Sequence, residues 1–310
     1  MQVAILGCGY VGLELGRQLD DRGHDAVGVR RSAGGVGAIE EAGFEPVQAD
    51  VTDHEALAAV PDVDAIVFIA SSGGRGADAA REIYVDGLET AIEHFGARAE
   101  SPDHLVYTSS TGVYGDHGGD WVDETTEIEP TTEKTAVLAE AERVATEEAA
   151  EQGLDGSVVR FAGLYGPDRY RLERYVEGPV TEGYLNMLHR DDAAGIVRYV
   201  LEETAAGGAS DGASTDADPL LPNDVLLAVD DEPISKWAFA DWLAQECGQP
   251  APEKRTIEER LAAGDLSDPA ERRLRTSKRC ANDRLHEIGY ELAYPTFREG
   301  YRAAIEEYRE

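Results

Sequence analysis

A glycine turn near the start of the chain constrains the fold more than any other feature of the sequence. The motif GCGYVG, residues 7–12, follows an apolar segment that is predicted to be a strand, Gln2–Leu6, and opens a segment with helical periodicity. In this context Gly7 makes a tight turn, Gly9 lets the backbone approach a pyrophosphate, and Gly12 lets the helix pack against the strand. The motif therefore predicts a turn that binds a dinucleotide.

The helix after this turn is predicted over Tyr10–Arg22 and begins inside the motif. Its first backbone N–H groups, at Tyr10 and Val11, have no partner within the helix and would face an anion together with the positive end of the helix dipole. A structural turn without a ligand is the alternative interpretation. The strand–turn–helix context favours phosphate binding.

Strands and helices alternate along the first half of the chain, which is typical of a parallel sheet covered by helices on both faces. This pattern predicts an α/β protein with a doubly wound Rossmann sheet in residues 1–165, to which some later segments return, and a smaller C-terminal substrate lobe in residues 166–310. The predicted strands are Gln2–Leu6, Ala26–Val29, Glu45–Gln48, Ala65–Ile69, Leu105–Thr108, Ser157–Phe161 and Val225–Val229. The predicted helices are Tyr10–Arg22, Gly35–Ala42, His54–Val60, Ala77–Phe95, Glu133–Gln152, Ser235–Cys247 and one after Pro295, and a low-complexity loop is predicted over Ala205–Pro219.

The end of the second strand indicates which nicotinamide cofactor the turn would bind. An NAD site usually has a carboxylate about 20 residues past the glycines, where it bonds the ribose 2′-hydroxyl. This sequence has Arg30 and Arg31 there instead. Two guanidinium groups suit the 2′-phosphate of NADP, although two ordinary solvated arginines are the alternative. The sequence predicts NADP, with NAD less favoured.

Four further motifs follow the predicted strands at regular places: DVTD at residues 50–53, YTSSTGVYG at 107–115, RFAGLYGP at 160–167 and LNMLHRDD at 185–192. Together with the glycine turn they resemble the extended short-chain dehydrogenase/reductase superfamily. Members of that superfamily include nucleotide-sugar epimerases, dehydratases and sugar dehydrogenases. The resemblance covers nearly the whole chain and implies a sugar-like small molecule as the substrate.

The resemblance also assigns roles to individual residues. It implies that Asp50, with Val51 beside it, contacts the adenine and that the Ser110 hydroxyl bonds the substrate oxygen. For Arg75 ordinary loop composition is the alternative, and for His189 a hydrogen-bonded core histidine is the alternative. The other cofactor contacts expected from these motifs and from the loop after the fourth strand are Ala70, Ser71, Phe161 and Gly163, and the expected substrate contacts are Arg75, Tyr114, Tyr165, Asn186 and His189.

The usual catalytic pair of the superfamily is absent from this chain. Its members use a Tyr with a Lys four residues later, preceded by a proline and followed by a glutamate. Aligning Pro130 and Glu142 to those markers puts Lys134 at the Tyr position and Leu138 at the Lys position. This departure resembles an atypical branch that keeps the fold and the cofactor site without the pair.

The missing pair leaves the chemistry open. Lys134 can take the hydroxyl proton if it is desolvated, or it can hold the nicotinamide ribose, and a surface lysine is the alternative to both. The favoured function is an NADP-preferring oxidoreductase that acts on a hydroxyl or carbonyl. The other two hypotheses are an epimerase or dehydratase that retains its nicotinamide, and a non-catalytic dinucleotide sensor.

The charge of the chain is strongly negative. It carries 62 Asp and Glu against 28 Lys and Arg, a net charge of −34, and the acidic residues are spread over the whole length. High salt screens the self-repulsion of such a surface, so we interpret the composition as halophilic adaptation to a salt-rich cytoplasm. The same charge disfavours nucleic acids and anionic membranes as partners.

Other features of the composition narrow the setting. Met1 leads directly into an apolar strand, so no signal peptide is expected, and the three scattered cysteines suit a reducing cytoplasm. Neither the cysteines nor the seven histidines form a zinc-binding pattern, so no metal is expected. An apolar stripe in the helix predicted over Glu133–Gln152 suggests a homodimer formed through this helix and the one over Ala77–Phe95, and core packing is the alternative explanation of that stripe.

Overall fold

The first strand lies in the interior of a parallel sheet in the computed structural model, which describes residues 1–73, 76–205 and 223–310. Within these residues the main sheet has seven strands in the order β12-β7-β5-β4-β1-β2-β3. The strand order reverses between β1 and β4, and ligands of such sheets bind outside the carboxyl ends at that switch point. These strands are β1 (Gln2–Leu6), β2 (Asp25–Arg30), β3 (Glu45–Gln48), β4 (Ala65–Phe68), β5 (His104–Ser110), β7 (Asp155–Phe161) and β12 (Val225–Ala228).

The remaining strands are short and pair outside the main sheet. Arg75 and all of the predicted loop Ala205–Pro219 except Ala205 lie outside the described residues. The short strands are β6 (Trp121–Val122), β8 (Gly163–Tyr165), β9 (Val180–Thr181), β10 (Tyr184–Leu185), β11 (Met187–His189), β13 (Ile234–Ser235), β14 (Lys254–Arg255) and β15 (Arg279–Cys280).

Helices cover both faces of the sheet. The helices of the first half are α1 (Tyr10–Asp21), α2 (Ala33–Ala42), α3 (Ala77–Arg81), α4 (Gly87–Gly96), α5 (Glu133–Arg143) and α6 (Ala149–Glu151). Those of the second half are α7 (Leu172–Glu177), α8 (Arg190–Ala205), α9 (Lys236–Glu246), α10 (Ile257–Ala262), α11 (Asp268–Arg275), α12 (Asp283–Glu287), α13 (Phe297–Gly300) and α14 (Arg302–Arg309). No helix among the described residues combines the length and the apolar character needed to cross a membrane.

Three of the predicted helices differ from the observed ones. The helix predicted over His54–Val60 is a single 3₁₀ turn, Ala56–Ala59, because Val60 becomes extended ahead of Pro61. The two long predicted helices each contain a π-helical turn, Glu82–Asp86 between α3 and α4 and Val144–Glu148 between α5 and α6. Hydrophobic periodicity indicates a helix but does not distinguish α-helical from π-helical turns.

The core lies on both faces of the sheet, because successive residues of β1 point to opposite sides. Val3 and Ile5 pack on the side of α1 and α8, and Ala4 and Leu6 pack on the side of α4 and α5. The apolar stripe of α5 and the turn after it belongs to this core. Its residues Val137, Leu138, Ala141 and Val144 are at most 8% exposed within the single chain. Core packing therefore accounts for the stripe, and the homodimer stays a prediction.

The second half of the chain contributes to two parts of the structure. Helix α8 packs on α1, and β12 adds a strand beside β7, so both extend the half of the structure that contains the main sheet. A separate apolar cluster forms a smaller lobe around Phe239, Phe297 and Tyr301. The predicted division into residues 1–165 and 166–310 remains a prediction, with α8 and β12 among the later segments that pack on the sheet.

A buried ion pair joins α5 to the sheet. The Arg160 guanidinium on β7 donates to both carboxylate oxygens of Glu142 on α5, at 2.7 Å from Nη2 and 3.0 Å from Nε, and both side chains are 7% exposed. Ser109 on β5 donates to the same carboxylate at 2.6 Å, and Arg160 donates to the Tyr114 hydroxyl at 2.8 Å. Burial raises the pKa of Tyr114 to about 12, although Arg160 opposes the rise, so this hydroxyl stays neutral. The network fixes the helix that carries Lys134.

Neutralising this buried pair should destabilise the fold. Glu142→Gln leaves the Arg160 charge buried without its counter-charge, and such a loss costs about 3–5 kcal/mol. The matched control is Glu140→Gln, two residues earlier on the same helix, where the pair with Arg81 is solvent-exposed and contributes little. Urea unfolding of both variants measures the difference. Equal midpoints for the two variants would contradict the structural role of the buried pair.

Candidate functional site

The glycine turn follows β1 and packs against the loop after β4. Gly7 has a φ of +85°, a left-handed conformation that favours glycine, and both Gly7 and Cys8 donate their N–H groups to the Val29 carbonyl at 3.1 Å. A Cβ on Gly7 would lie 2.2 Å from the Cα of Ala70, the second residue after β4. No side chain fits between these backbones. The contact places the turn at the switch point of the sheet.

The other two glycines of the turn have different neighbours. A Cβ on Gly9 would lie 2.7 Å from Nη1 of Arg30, whose guanidinium crosses the turn and donates to the Cys8 carbonyl at 3.2 Å. A Cβ on Gly12 would lie 3.0 Å from the Ile5 side chain, so this glycine brings α1 close to β1. The tight turn at Gly7 and the close helix packing at Gly12 are as expected from the sequence, and the approach of a pyrophosphate at Gly9 stays a prediction.

A cleft of about 890 Å³ opens above the turn at the start of α1. Among the described residues that line it, four are cationic and none is Asp or Glu, although the chain has a net charge of −34. The cleft therefore presents a positive surface in an acidic protein. Its lining includes Gly7, Gly9, Tyr10, Val11, Gly12, Arg30, Ala70, Ser71, Tyr84, Ser110, Lys134, Leu138, Phe161, Arg169 and Arg171.

A second pocket of about 320 Å³ adjoins the cleft at Gly7, Arg30, Ala70 and Ser71, which line both. It also contains Arg31, Ser32, Asp50 and Val51. The Arg31 side chain is 62% exposed and lies 3.8 Å from the Asp50 carboxylate. The two spaces form one groove along the sheet end, and a glycine turn, a free helix start and a cationic lining fit a dinucleotide.

Two arginines after β8 extend the positive lining. The Arg169 guanidinium lies 3.9 Å from the centre of the Tyr10 ring, a cation–π contact at the start of α1, and the Tyr10 hydroxyl donates to the Pro167 carbonyl at 2.9 Å. Arg171 has a φ of +52°, which is uncommon for a residue with a side chain. This basic cluster is visible in the sequence, but its position beside Tyr10 is not.

The start of α5 carries Lys134 and Leu138, the two residues aligned with the superfamily's catalytic pair, and both line the cleft. The Thr132 hydroxyl caps the helix by accepting the Thr135 N–H at 3.1 Å, which places Lys134 in the first turn and Leu138 one turn later. Lys134 is exposed to the cleft, and its Nζ lies 3.4 Å from the Ser72 hydroxyl. Ser110 lines the same cleft at the end of β5, where its hydroxyl accepts the Gly112 N–H at 3.2 Å. The structure thus brings Ser110 and Lys134 to one site.

Four residues predicted to contact the substrate pack against other residues inside the protein, and the buried Tyr165 hydroxyl has no hydrogen-bond partner among the described residues. Asn186 donates to the Lys278 carbonyl at 3.1 Å and accepts the Cys280 N–H at 2.7 Å. Burial and nearby acidic groups raise the pKa of Tyr165, whose ring stacks on Tyr301. The other two are Tyr114, in the buried network, and His189, which is 2% exposed.

His189 packs against the Tyr294 ring, and burial lowers its pKa to about 4, so it is neutral at physiological pH. Neither His189 nor any of the other three residues is among those that line the cleft, and their substrate roles stay predictions. Gly163, one of the expected cofactor contacts, donates its N–H to the Asn186 carbonyl and does not line the cleft either.

Sequence reasoning missed Tyr84, which lines the cleft from the π-helical turn. It lies between buried Ile83 and Val85, and no local motif marks it. Among the described residues, no three His, Cys, Asp or Glu side chains are grouped so that they could hold a metal ion.

Comparisons with known proteins agree with this geometry. Residues 3–208 match the model of the NAD dependent epimerase/dehydratase family. The chain is 30% identical to protein YeeZ of Escherichia coli K12 over 213 residues, 66% of this chain and 75% of YeeZ. It is 28% identical over 264 residues to a 3 beta-hydroxysteroid dehydrogenase/Delta 5-->4-isomerase of Mycobacterium tuberculosis, which covers 80% of this chain and 70% of that protein.

Solved structures share the fold. Superposition on DesIV, a dTDP-glucose 4,6-dehydratase from Streptomyces venezuelae with NAD and TYD bound, gives a TM-score of 0.75 at 18% identity, over 100% of this chain and 97% of that chain. The match to the family model, the switch-point groove and the shared fold all agree with the extended short-chain dehydrogenase/reductase resemblance found in the sequence. The chain belongs to the NAD dependent epimerase/dehydratase family.

Proposed function

We propose that this protein is an NADP-preferring oxidoreductase acting on a hydroxyl or carbonyl group of a sugar-like small molecule. The observation that carries the proposal is the cleft, which has four cations and no carboxylate among its described lining residues in a chain of net charge −34. An anionic ligand gains from that surface whereas a cationic one does not. A nicotinamide dinucleotide has the required pyrophosphate and fits the glycine turn.

The preference for NADP rests on the second pocket. Arg31 and Ser32 lie beside Asp50 at the end of β2, where the ribose of the adenosine half would lie. Arg30 crosses the glycine turn, while the exposed Arg31 side chain is paired only loosely with Asp50, at 3.8 Å. A 2′-phosphate would give both guanidinium groups a dianionic partner.

The reaction needs hydride transfer and proton transfer. The bound nicotinamide supplies the hydride acceptor or donor. The chain's own groups at the cleft would orient the substrate and handle its proton. The Ser110 hydroxyl would bond the substrate oxygen, and Lys134, at the start of α5, would either accept the proton or hold the nicotinamide ribose.

The substrate class follows from the charge of the cleft. Relatives act on different molecules by their names, a hydroxysteroid for the mycobacterial protein and dTDP-glucose for DesIV. Arg169 and Arg171 add two cations to the lining beyond the residues at the glycine turn. These guanidinium groups favour a sugar derivative with a carboxylate or phosphate over a neutral steroid.

Two other functions have support. The family contains epimerases and dehydratases, which favours an enzyme that retains its nicotinamide and returns the hydride to the same substrate. A non-catalytic dinucleotide sensor is favoured by Leu138, an apolar side chain in the cleft at the position where the superfamily has its lysine.

Turnover assays in molar KCl test the proposed function. The panel contains sugars, sugar acids, nucleotide sugars and a 3β-hydroxysteroid, each with NADP and with NAD. We expect net reduction of NADP with an anionic sugar derivative. Isomerised or dehydrated sugar with cofactor retained through purification would favour the epimerase or dehydratase instead. Nicotinamide binding without any turnover would favour the sensor, and absence of binding would contradict all three functions.

Cofactor preference should depend on Arg31. Arg31→Ser removes a charge-assisted contact to the 2′-phosphate, so NADP should bind about 10- to 100-fold more weakly, the equivalent of about 1.5–3 kcal/mol. NAD, which lacks that phosphate, should bind with nearly unchanged affinity. The matched control is Arg17→Ser, which removes an exposed arginine on α1 that pairs with Glu14 outside both pockets. Equal losses for NADP and NAD, or tighter NAD binding by the wild type, would contradict the NADP preference.

A further inference from the structure

Tyr84 lines the cleft, although it is not at the position where the superfamily has its catalytic tyrosine. Among the described residues that line the cleft, two are tyrosines, Tyr10 and Tyr84. The Tyr10 hydroxyl donates to the Pro167 carbonyl, and burial raises its pKa to about 12. Tyr10 is therefore held neutral beneath Arg169. The Tyr84 hydroxyl, in contrast, has its contacts with Ser72.

The hydroxyl of Tyr84 lies among hydrogen-bond donors. It accepts the backbone N–H of Ser72 at 3.2 Å and lies 3.3 Å from the Ser72 hydroxyl. The Ser72 hydroxyl in turn lies 3.4 Å from Lys134 Nζ, and the same ammonium lies 5.7 Å from the centre of the Tyr84 ring. These contacts link the Tyr84 hydroxyl through Ser72 to Lys134 in one chain of hydrogen bonds. We call Tyr84, Ser72 and Lys134 the phenol cluster.

The three members come from separate elements that meet at the carboxyl end of the sheet. Ser72 lies in the loop after β4, Lys134 in the first turn of α5, and Tyr84 in the π-helical turn Glu82–Asp86. The flanking residues Ile83 and Val85 are buried, which holds the turn against the body of the protein. π-Helical turns inside helices are frequent at functional sites because the wider turn redirects a side chain.

Lys134 supplies the positive charge of the phenol cluster. The other titratable groups near Tyr84 are neutral, paired with each other or exposed to solvent. Tyr107 on β5 faces it from the sheet, and burial, together with Glu142 and Tyr84, raises the Tyr107 pKa well above the usual range, so this residue stays neutral. On the outer side, Arg81 of α3 and Glu140 of α5 pair with each other. Glu82 and Asp86, in the same π-helical turn as Tyr84, are exposed to solvent.

We infer that Tyr84 is the proton-transfer residue of this site, with Ser72 and Lys134 stabilising its phenolate. The inference rests on the proposed oxidoreductase function. In the oxidation of an alcohol, the C–H bond breaks and its hydride passes to the oxidised nicotinamide. The O–H bond also breaks, its electron pair forms the C=O bond, and its proton bonds to the phenolate oxygen of Tyr84. In the reverse direction the phenol returns that proton while the reduced nicotinamide returns the hydride.

Turnover of three variants on a substrate found for the wild type tests the assignment. Tyr84→Phe keeps the ring and removes the hydroxyl, so turnover should fall about 10²–10⁴-fold, the usual contribution of a positioned acid or base. NADPH binding, measured by fluorescence titration, should stay at the wild-type level. Tyr308→Phe, which removes a partly exposed hydroxyl on α14 far along the chain, is the matched control and should leave turnover unchanged.

A titration that needs no turnover tests the role of Lys134. Tyrosinate absorbance against pH, taken as the difference between wild type and Tyr84→Phe, reports the ionisation of Tyr84. Repeating the pair in a Lys134→Met background removes the ammonium that favours the phenolate. The Tyr84 signal should then appear at higher pH, and the pH–rate profile should move in the same direction.

The outcomes separate this inference from the proposed function. Absence of turnover by the wild type over the whole panel overturns the proposed function, and this inference with it. Wild-type turnover that persists in Tyr84→Phe overturns the inference alone. A Tyr84 titration that Lys134→Met leaves in place overturns the phenol cluster.

Discussion

The close approach of two backbones, at Gly7 and Ala70, is the contact on which the groove depends. It needs a glycine, because any Cβ there would lie 2.2 Å from the Ala70 Cα, and the left-handed φ of Gly7 adds a second reason. The contact holds the ends of β1 and β4 together where the strand order reverses, so the groove opens at the switch point of the sheet. From there the start of α1, the end of β2 and the first turn of α5 all face one space.

Charge then selects what that space can bind. The surface of a chain with net charge −34 repels anions, yet the described lining of the cleft contains Arg30, Lys134, Arg169 and Arg171 without an opposing carboxylate. In the second pocket Asp50 is present, but Arg31 lies beside it. A local positive field inside an acidic protein attracts an anionic ligand to the cleft and the second pocket. The same arrangement would serve an oxidoreductase, an epimerase or a sensor, so the proton-handling groups decide among them.

The sequence predicted what depends on local pattern, and it failed where tertiary packing decides. The glycine turn and the parallel strands follow from motif and spacing, and the structure agrees. The family resemblance implied that Ser110 and Lys134 belong to one site, and both line the cleft, while their roles stay predictions. Tyr84 was missed because a π-helical turn aims it into the cleft, and periodicity carries no signal for such a turn. Four residues expected from motifs to contact the substrate, such as His189, pack inside the protein and do not line the cleft, and their substrate roles stay predictions. Resemblance gives a position in the chain but not its burial.

The dissociation constant of NADPH for Gly9→Ala in molar KCl tests the central claim most directly. A methyl group on Gly9 would crowd the flexible end of Arg30 and lie at ordinary contact distance from the Gly7 carbonyl, so the fold should persist while the pyrophosphate loses its close approach. The matched control is Gly37→Ala in α2, where a Cβ meets nothing within 4 Å. We predict that Gly9→Ala weakens NADPH binding by about tenfold or more, with the unfolding midpoint and the Gly37→Ala affinity unchanged. Equal affinity of Gly9→Ala and wild type would show that the dinucleotide does not bind at the glycine turn.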